Sequence, residues 1–347
     1  MKVETARHAA FDWIRKYASK EAGFRGAYFS GSTVGMPDGA ELPPASDVDI
    51  VVVIAQDEPP LKLGKFTYRE TLLEVTYLSL NQFASVKEVL TSYHLAGSFR
   101  TNTIIADPTG RLRKLQKQVS ASFPKLPWVS RRCDNAREKV ENGLRNIDTS
   151  GPWYDQVTQW LFPTGVTTHV LLVAALRNPT VRLRYLAARE VLFEYGCPDL
   201  YEELLELLGC AQLTPERVEH HLESLARTFD VAADVAETPF FFSTDITTIT
   251  RPVAIDGSRE LIRSGNHREA VFWIVATFAR CHKILDADAS QDLQNEHIPA
   301  FNEMVADLGI NSTEDLTCRA EKVFQFLPRL WKTTEAILQA NTSIVNK

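Results

Sequence analysis

Residues 46–54 read Ser-Asp-Val-Asp-Ile-Val-Val-Val-Ile, and no other stretch limits the fold as strongly. The continuously apolar run from Ile50 to Ile54 argues for a buried strand with the two acids at its head. Side chains alternate along a strand, so Asp47 and Asp49 point to one side while Val48 and Ile50 point to the other. Two carboxylates held that close repel unless something cationic sits between them, and hard oxygen ligands at this spacing suit Mg²⁺. Asp-x-Asp pairs also occur in solvated turns and at helix N-termini, but the apolar run that follows favours a metal site at a strand end.

Two further segments share this character. Ala27-Tyr28-Phe29-Ser30-Gly31-Ser32 reads as a short strand ending in a Gly-Ser corner. Gly31 tolerates a close backbone approach, and Ser32 offers a hydroxyl and an amide of the kind a triphosphate needs; Gly-Ser is equally ordinary turn chemistry. Thr71 to Leu78 reads as another strand carrying one acid, Glu74, which needs a partner unless it lies on an edge facing water.

Gly31-Ser32, then Asp47-x-Asp49 opening a strand, then Glu74 within a strand, together resemble the DNA polymerase β-like nucleotidyltransferase superfamily, and among its members the kanamycin and aminoglycoside nucleotidyltransferase type. The motifs span roughly the first third of the chain, and Asp107-Pro108-Thr109-Gly110 after the apolar Thr103 to Ala106 is similar to a late strand-turn of such domains. The resemblance implies an α+β fold, with a mixed sheet flanked by helices followed by an all-helical domain. It implies that Gly31, Ser32 and Ser46 contact the nucleotide, and that Asp47 and Asp49 bind one or two Mg²⁺. Glu74 then either joins the metal or takes the acceptor's proton. The implied co-substrate is a nucleoside triphosphate, and the acceptor is a small molecule bound in a cleft between domains. Two features depart from the family pattern: Thr33 to Ser46 is a longer spacer than usual, and the third acid is Glu rather than Asp.

The remainder of the chain narrows the function. Its 347 residues exceed a usual single core, and 44% hydrophobic with 24% charged residues is ordinary for a globular protein. A net charge of −6 leaves no broad basic surface for a long nucleic acid, which argues against polymerases and tRNA end-adding enzymes. The five cysteines are widely separated, form no zinc or C-x-x-C pattern, and read as reduced thiols. An amphipathic helix from Val3 to Ser19 lacks a signal-peptide core and no apolar run is long enough to span a membrane, so the cytoplasm is expected.

Periodicity changes after Pro127, giving an expected nucleotidyltransferase domain over 1–127 and a helical acceptor-binding domain over 128–347. Helical runs are expected at Trp128–Ile147, Trp153–Leu176, Val181–Tyr195, Leu200–Leu208, Pro215–Ala236, Arg259–Leu285, Pro299–Leu308 and Glu314–Ala340. Lys62, Lys65 and Arg69 read as a solvated face, as do Arg111, Arg113, Lys114 and Lys117. Ser264 to Ala270 could present His267 and Arg268 to a phosphate, though an ordinary capped and solvated first turn is the plainer reading, with His282 a core histidine. Phe240-Phe241-Phe242 reads as a buried extended segment. A nucleotidyltransferase-fold sensor or antitoxin without turnover is a second function class. A helical ribonuclease is a third, disfavoured because Arg217–His221 and Arg263–His267 leave three residues between them, one short of the pattern in related helical domains.

Overall fold

The structure is a computed structural model that describes residues 1–178 and 180–346. It is α+β. The chain divides into two compact units, one formed by Met1–Arg132 with Phe240–Asp245 and Ser343–Lys347, the other by Cys133–Pro239 and Ile246–Thr342. The first boundary falls inside helix α5 (Leu126–Arg145).

The first unit is built on five strands, β1 (Phe24–Phe29), β2 (Val48–Ile54), β3 (Gly64–Tyr68), β4 (Thr71–Ser79) and β5 (Ile104–Ala106), in the order β3-β4-β2-β1-β5. β2 and β4 run parallel, and the other pairs are antiparallel. β2 is central because both of its faces are apolar. Val48, Ile50, Val52 and Ile54 pack on one side with Ala6, Ala10, Trp13 and Ile14 of helix α1 (Val3–Lys16). Val51 and Val53 pack on the other with Phe83, Phe99, Leu112 and Leu115. Full burial of each such side chain is worth roughly 1.5–3 kcal/mol, so a register slip of one residue in β2 would lose both layers and expose its acids to the apolar face. Helices α2 (Val86–Thr91), α3 (Ala96–Phe99) and α4 (Arg111–Ser122) complete the second layer.

The turn after β5 forms as expected: Gly110 adopts φ +73° and the Asp107 Oδ2 accepts the Arg113 amide at 2.8 Å, capping α4. The long spacer between Thr33 and Ser46 is tied to α1. Val3 N donates to Ala40 O at 2.9 Å, Leu42 N to Met1 O at 2.8 Å, and Arg7 pairs with Asp38.

Strand β3 has no counterpart among the strands expected from the sequence. It pairs with β4 across a two-residue turn at Arg69 and Glu70, whose φ values of +48° and +61° are those of a hairpin turn usually built from Asn-Gly or Asp-Gly. With neither residue glycine or asparagine, the hairpin carried no signal.

The second unit is helical, with α6 (Trp153–Ala174), α7 (Arg184–Glu194), α8 (Pro198–Leu208), α9 (Pro215–Val235), α10 (Gly257–Arg263), α11 (His267–Asp288), α12 (Gln291–Asp307) and α13 (Thr313–Ala340). α6 is buried almost all round from Gln156 to Ala174, as a helix at the centre of a bundle must be. Thr214 caps α9 by accepting the Arg217 amide, with Pro215 at the first helical position. Several expected boundaries shift by one to three residues, and two runs differ by more. The run Arg259–Leu285 is broken at Gly265, φ +76°, into α10 and α11, and α12 starts at Gln291 under a Ser290 cap with Pro299 inside it. Phe240 to Phe242 is a turn rather than a buried extended segment: Phe241 is 61% exposed while Phe240 and Phe242 stack with ring centroids 5.4 Å apart. All five cysteines are free. Among the described residues no helix is long and apolar enough to cross a membrane.

Candidate functional site

The parallel pairing of β2 with β4 puts Glu74 directly opposite Asp49, and the antiparallel pairing of β4 with β3 puts Lys65 directly opposite Glu74. Cross-strand partners share a face, so these three side chains stand side by side across three strands. Asp47, two residues before Asp49, joins them. Asp47, Asp49 and Glu74 each offer a carboxylate oxygen, all within 4.8 Å of one another, the one such group among the described residues.

Gly31 closes the corner beside Asp49. Ser30 N donates to the Asp49 backbone oxygen at 3.0 Å, and Gly31 turns at φ +67°, ψ −155°, a region open essentially to glycine alone. A β-carbon on Gly31 would lie 1.7 Å from Asp49 Oδ2. Ser32 begins a short 3-10 turn, Ser32–Gly35, and is exposed. Ser46 leads into β2 with its amide donating to Pro43 O at 3.0 Å.

Two lysines that the sequence suggested were solvated are inside the site. Lys65 is 10% exposed and its Nζ lies 3.2 Å from Asp47 Oδ2 and 2.8 Å from Asp245 Oδ1, with Glu74 Oε2 as its third partner. Lys62 Nζ donates to Glu74 Oε1 at 2.6 Å and lies 3.4 Å from Asp245 Oδ2. Both oxygens of Glu74 therefore accept from ammonium groups. Glu74 is also not an edge residue, since β4 lies between β3 and β2. Asp245, from the short turn Ser243–Asp245, is a fourth acid that sequence reasoning did not find. Nothing local marks it; it follows Lys65 by 180 positions. The turn is seated on β3 by Thr244, whose Oγ1 accepts the Lys65 amide at 2.9 Å. Gly64, φ +73°, leaves room for it, as a β-carbon there would meet that Oγ1 at 1.8 Å.

The electrostatics divide the acids. Burial pushes the Asp49 carboxyl well above the ordinary range, and Asp47 and Glu74 push it further. Asp47 is also raised, by burial ahead of the opposing pull of Lys65. Glu74 goes the other way: burial acts to raise it, but Lys65 and Lys62 together outweigh burial and hold it down. Lys65 remains an ammonium, because its three acids outweigh the desolvation that opposes its charge. The raised Asp47 and Asp49 carboxyls hold their protons more readily than free acids, and only when all four carboxylates ionise against the two ammonium groups does the site carry an excess of two negative charges. That is the charge of one divalent cation, and two adjacent carboxylates supply the hard oxygen donors that Mg²⁺ takes. The residues present fit such an ion at Asp47 and Asp49.

The other suggested positions are occupied by structural contacts within the helical unit. Arg268 pairs with Glu202 at 2.8 Å, His267 Nε2 lies 3.0 Å from Leu213 O, and Asn266 Oδ1 accepts from Arg189 at 2.6 Å. His282 is buried and stacked on Phe278. Arg217 and His221 both bond to Asp307, His221 at 2.7 Å. Arg69 reaches Asp12 at 3.0 Å from the surface of the first unit.

No family model matches the chain, and no curated protein matches it. A solved structure of a nucleotidyltransferase-like protein from Exiguobacterium sibiricum 255-15 is similar at 17% sequence identity, over 74% of this chain and 91% of that one, with a TM-score of 0.30.

Proposed function

We propose that this chain is a nucleotidyltransferase of the DNA polymerase β-like kind, transferring a nucleoside monophosphate from a nucleoside triphosphate to a hydroxyl of a small acceptor. One observation carries the reading: the β2–β4 register that sets Glu74 against Asp49, with Asp47 and the Gly31 corner beside them. In this reading Asp47 and Asp49 hold Mg²⁺, and Gly31, Ser32 and Ser46 contact the triphosphate. The ion would neutralise charge on the triphosphate and orient the α-phosphorus. The acceptor oxygen bonds to the α-phosphorus, the α–β bridging bond breaks, pyrophosphate leaves, and the hydroxyl proton passes to a carboxylate of the site or to water.

Glu74 has two roles open to it, metal ligand or proton acceptor. Its lysine-saturated oxygens and lowered proton affinity favour a third, in which it holds Lys62 and Lys65 in place. A net charge of −6 supports a small acceptor, and a cationic one of the aminoglycoside type fits that balance. The helical unit is assigned the acceptor's selection, and the five free thiols support a reducing, cytoplasmic setting.

The same lysine contacts support the second reading, a nucleotide sensor without turnover. Incubation of the full chain with each α-labelled nucleoside triphosphate, Mg²⁺ and a panel of hydroxyl acceptors separates the two. Labelled acceptor with release of pyrophosphate is the expected result. Mg²⁺-dependent nucleotide binding with no transfer to any acceptor would favour the sensor.

A further inference from the structure

We infer that Lys65 is a built-in cation that takes the place of a second divalent ion, so that the site binds one ion where a two-metal site would bind two. The inference rests on the proposed metal-dependent reading and narrows it.

A two-ion site for phosphoryl transfer spaces its metals about 3.5–4 Å apart, bridged by shared carboxylates and completed by others. Here the position among Asp47, Glu74 and Asp245 holds an ammonium. Lys65 Nζ meets Asp47 at 3.2 Å and Asp245 at 2.8 Å, and bonds to Glu74 as well. An ammonium has three N–H groups, and here there is one carboxylate for each.

The backbone fixes this arrangement from two directions. Lys65 is registered opposite Glu74 by the β3–β4 ladder, and its amide donates to Thr244 Oγ1 at 2.9 Å, next to the Asp245 that its side chain binds. Lys62 takes the other oxygen of Glu74 at 2.6 Å, so Glu74 has no oxygen outside a lysine contact to give a second metal. Asp49 has neither lysine among its bonded partners, so of the three grouped acids it is the one whose carboxylate no ammonium contacts.

The decisive measurement is Mn²⁺ binding to the full chain, with Mn²⁺ alone as the probe, its stoichiometry and spin coupling followed by electron paramagnetic resonance. Wild type is expected to bind one uncoupled ion that Asp49→Asn removes. Lys65→Met, which keeps an unbranched side chain one atom shorter and without the charge, is expected to raise the count from one to two, with the spectrum of a coupled pair. Should that variant not fold, the wild-type count decides by itself. A coupled pair in wild type that Asp49→Asn abolishes overturns the role given to Lys65 and leaves the nucleotidyltransferase reading standing. No bound ion in wild type, or one indifferent to Asp49→Asn, overturns both.

Discussion

Gly31 and Asp49 occupy one corner of the sheet so tightly that a β-carbon on the glycine would fall 1.7 Å from the Asp49 carboxylate. The contact follows from the β1–β2 ladder, in which Phe29 pairs with Ile50 and the chain then turns at a positive φ. The glycine is thus required twice, by its backbone and by its neighbour.

Gly31→Ala is expected to destabilise the fold by about 1–3 kcal/mol from the backbone conformation alone, with more if Asp49 cannot shift. Urea unfolding measures the loss. In the same variant the displaced carboxylate should weaken Mn²⁺ binding, and an unchanged affinity would show that Asp49 is not a ligand.

Asp49→Asn should leave the protein folded and abolish transfer. Loss of a charge that holds the metal removes several kcal/mol of transition-state stabilisation, a fall of at least about a hundredfold in rate. Its pH dependence has a definite sign. The Asp49 carboxyl is raised in the folded state, so the unfolded chain loses that proton first, and metal-free wild type should lose stability as pH rises from 3.8 towards the elevated folded value. The variant lacks this loss. Metal-free melting curves across that range should therefore show Asp49→Asn gaining on wild type as pH rises, and a constant gap would contradict the buried, repelled pair.

Mg²⁺ with the correct nucleoside triphosphate should stabilise wild type by about 2.7 kcal/mol at a ligand concentration of a hundred times Kd, since only the folded chain brings these acids together. A thermal shift series with each nucleotide, with and without Mg²⁺, reads this directly. The same shift in Asp49→Asn as in wild type would remove the metal from the account.

Thr244→Val preserves shape while leaving the Lys65 amide without its acceptor, at a cost of about 1–3 kcal/mol if that amide stays buried. Faster hydrogen exchange at the Lys65 amide is the specific signature. Unaltered exchange would show that the Phe240–Asp245 segment does not seat on β3 through this bond.

Much of the site was legible because its signals are local. Asp47 and Asp49 sit within one strand, a side-chain period of two places them on one side, and the apolar residues that follow bury the strand wherever it goes. The Gly31 turn and the Thr214-Pro215 helix start are local as well. Periodicity likewise gave a helical second half, with errors where a boundary turned on one glycine, as at Gly265, or where a proline sat inside a helix, as Pro299 does in α12.

Tertiary structure alone decided what surrounds those acids. That Glu74 faces Asp49 depends on which strands become neighbours, and this is set by burying both faces of β2 at once. Lys65 entered the site because an Arg-Glu turn closed a hairpin without turn-forming residues, and Asp245 because a segment 180 positions away packs on the edge of β3. Charge read along a sequence has no partner, so Lys62 and Lys65 looked like a solvated face. Burial among three carboxylates makes Lys65 a fixed component of the centre, since the Coulomb energy that opposes its removal exists only once the acids are folded around it.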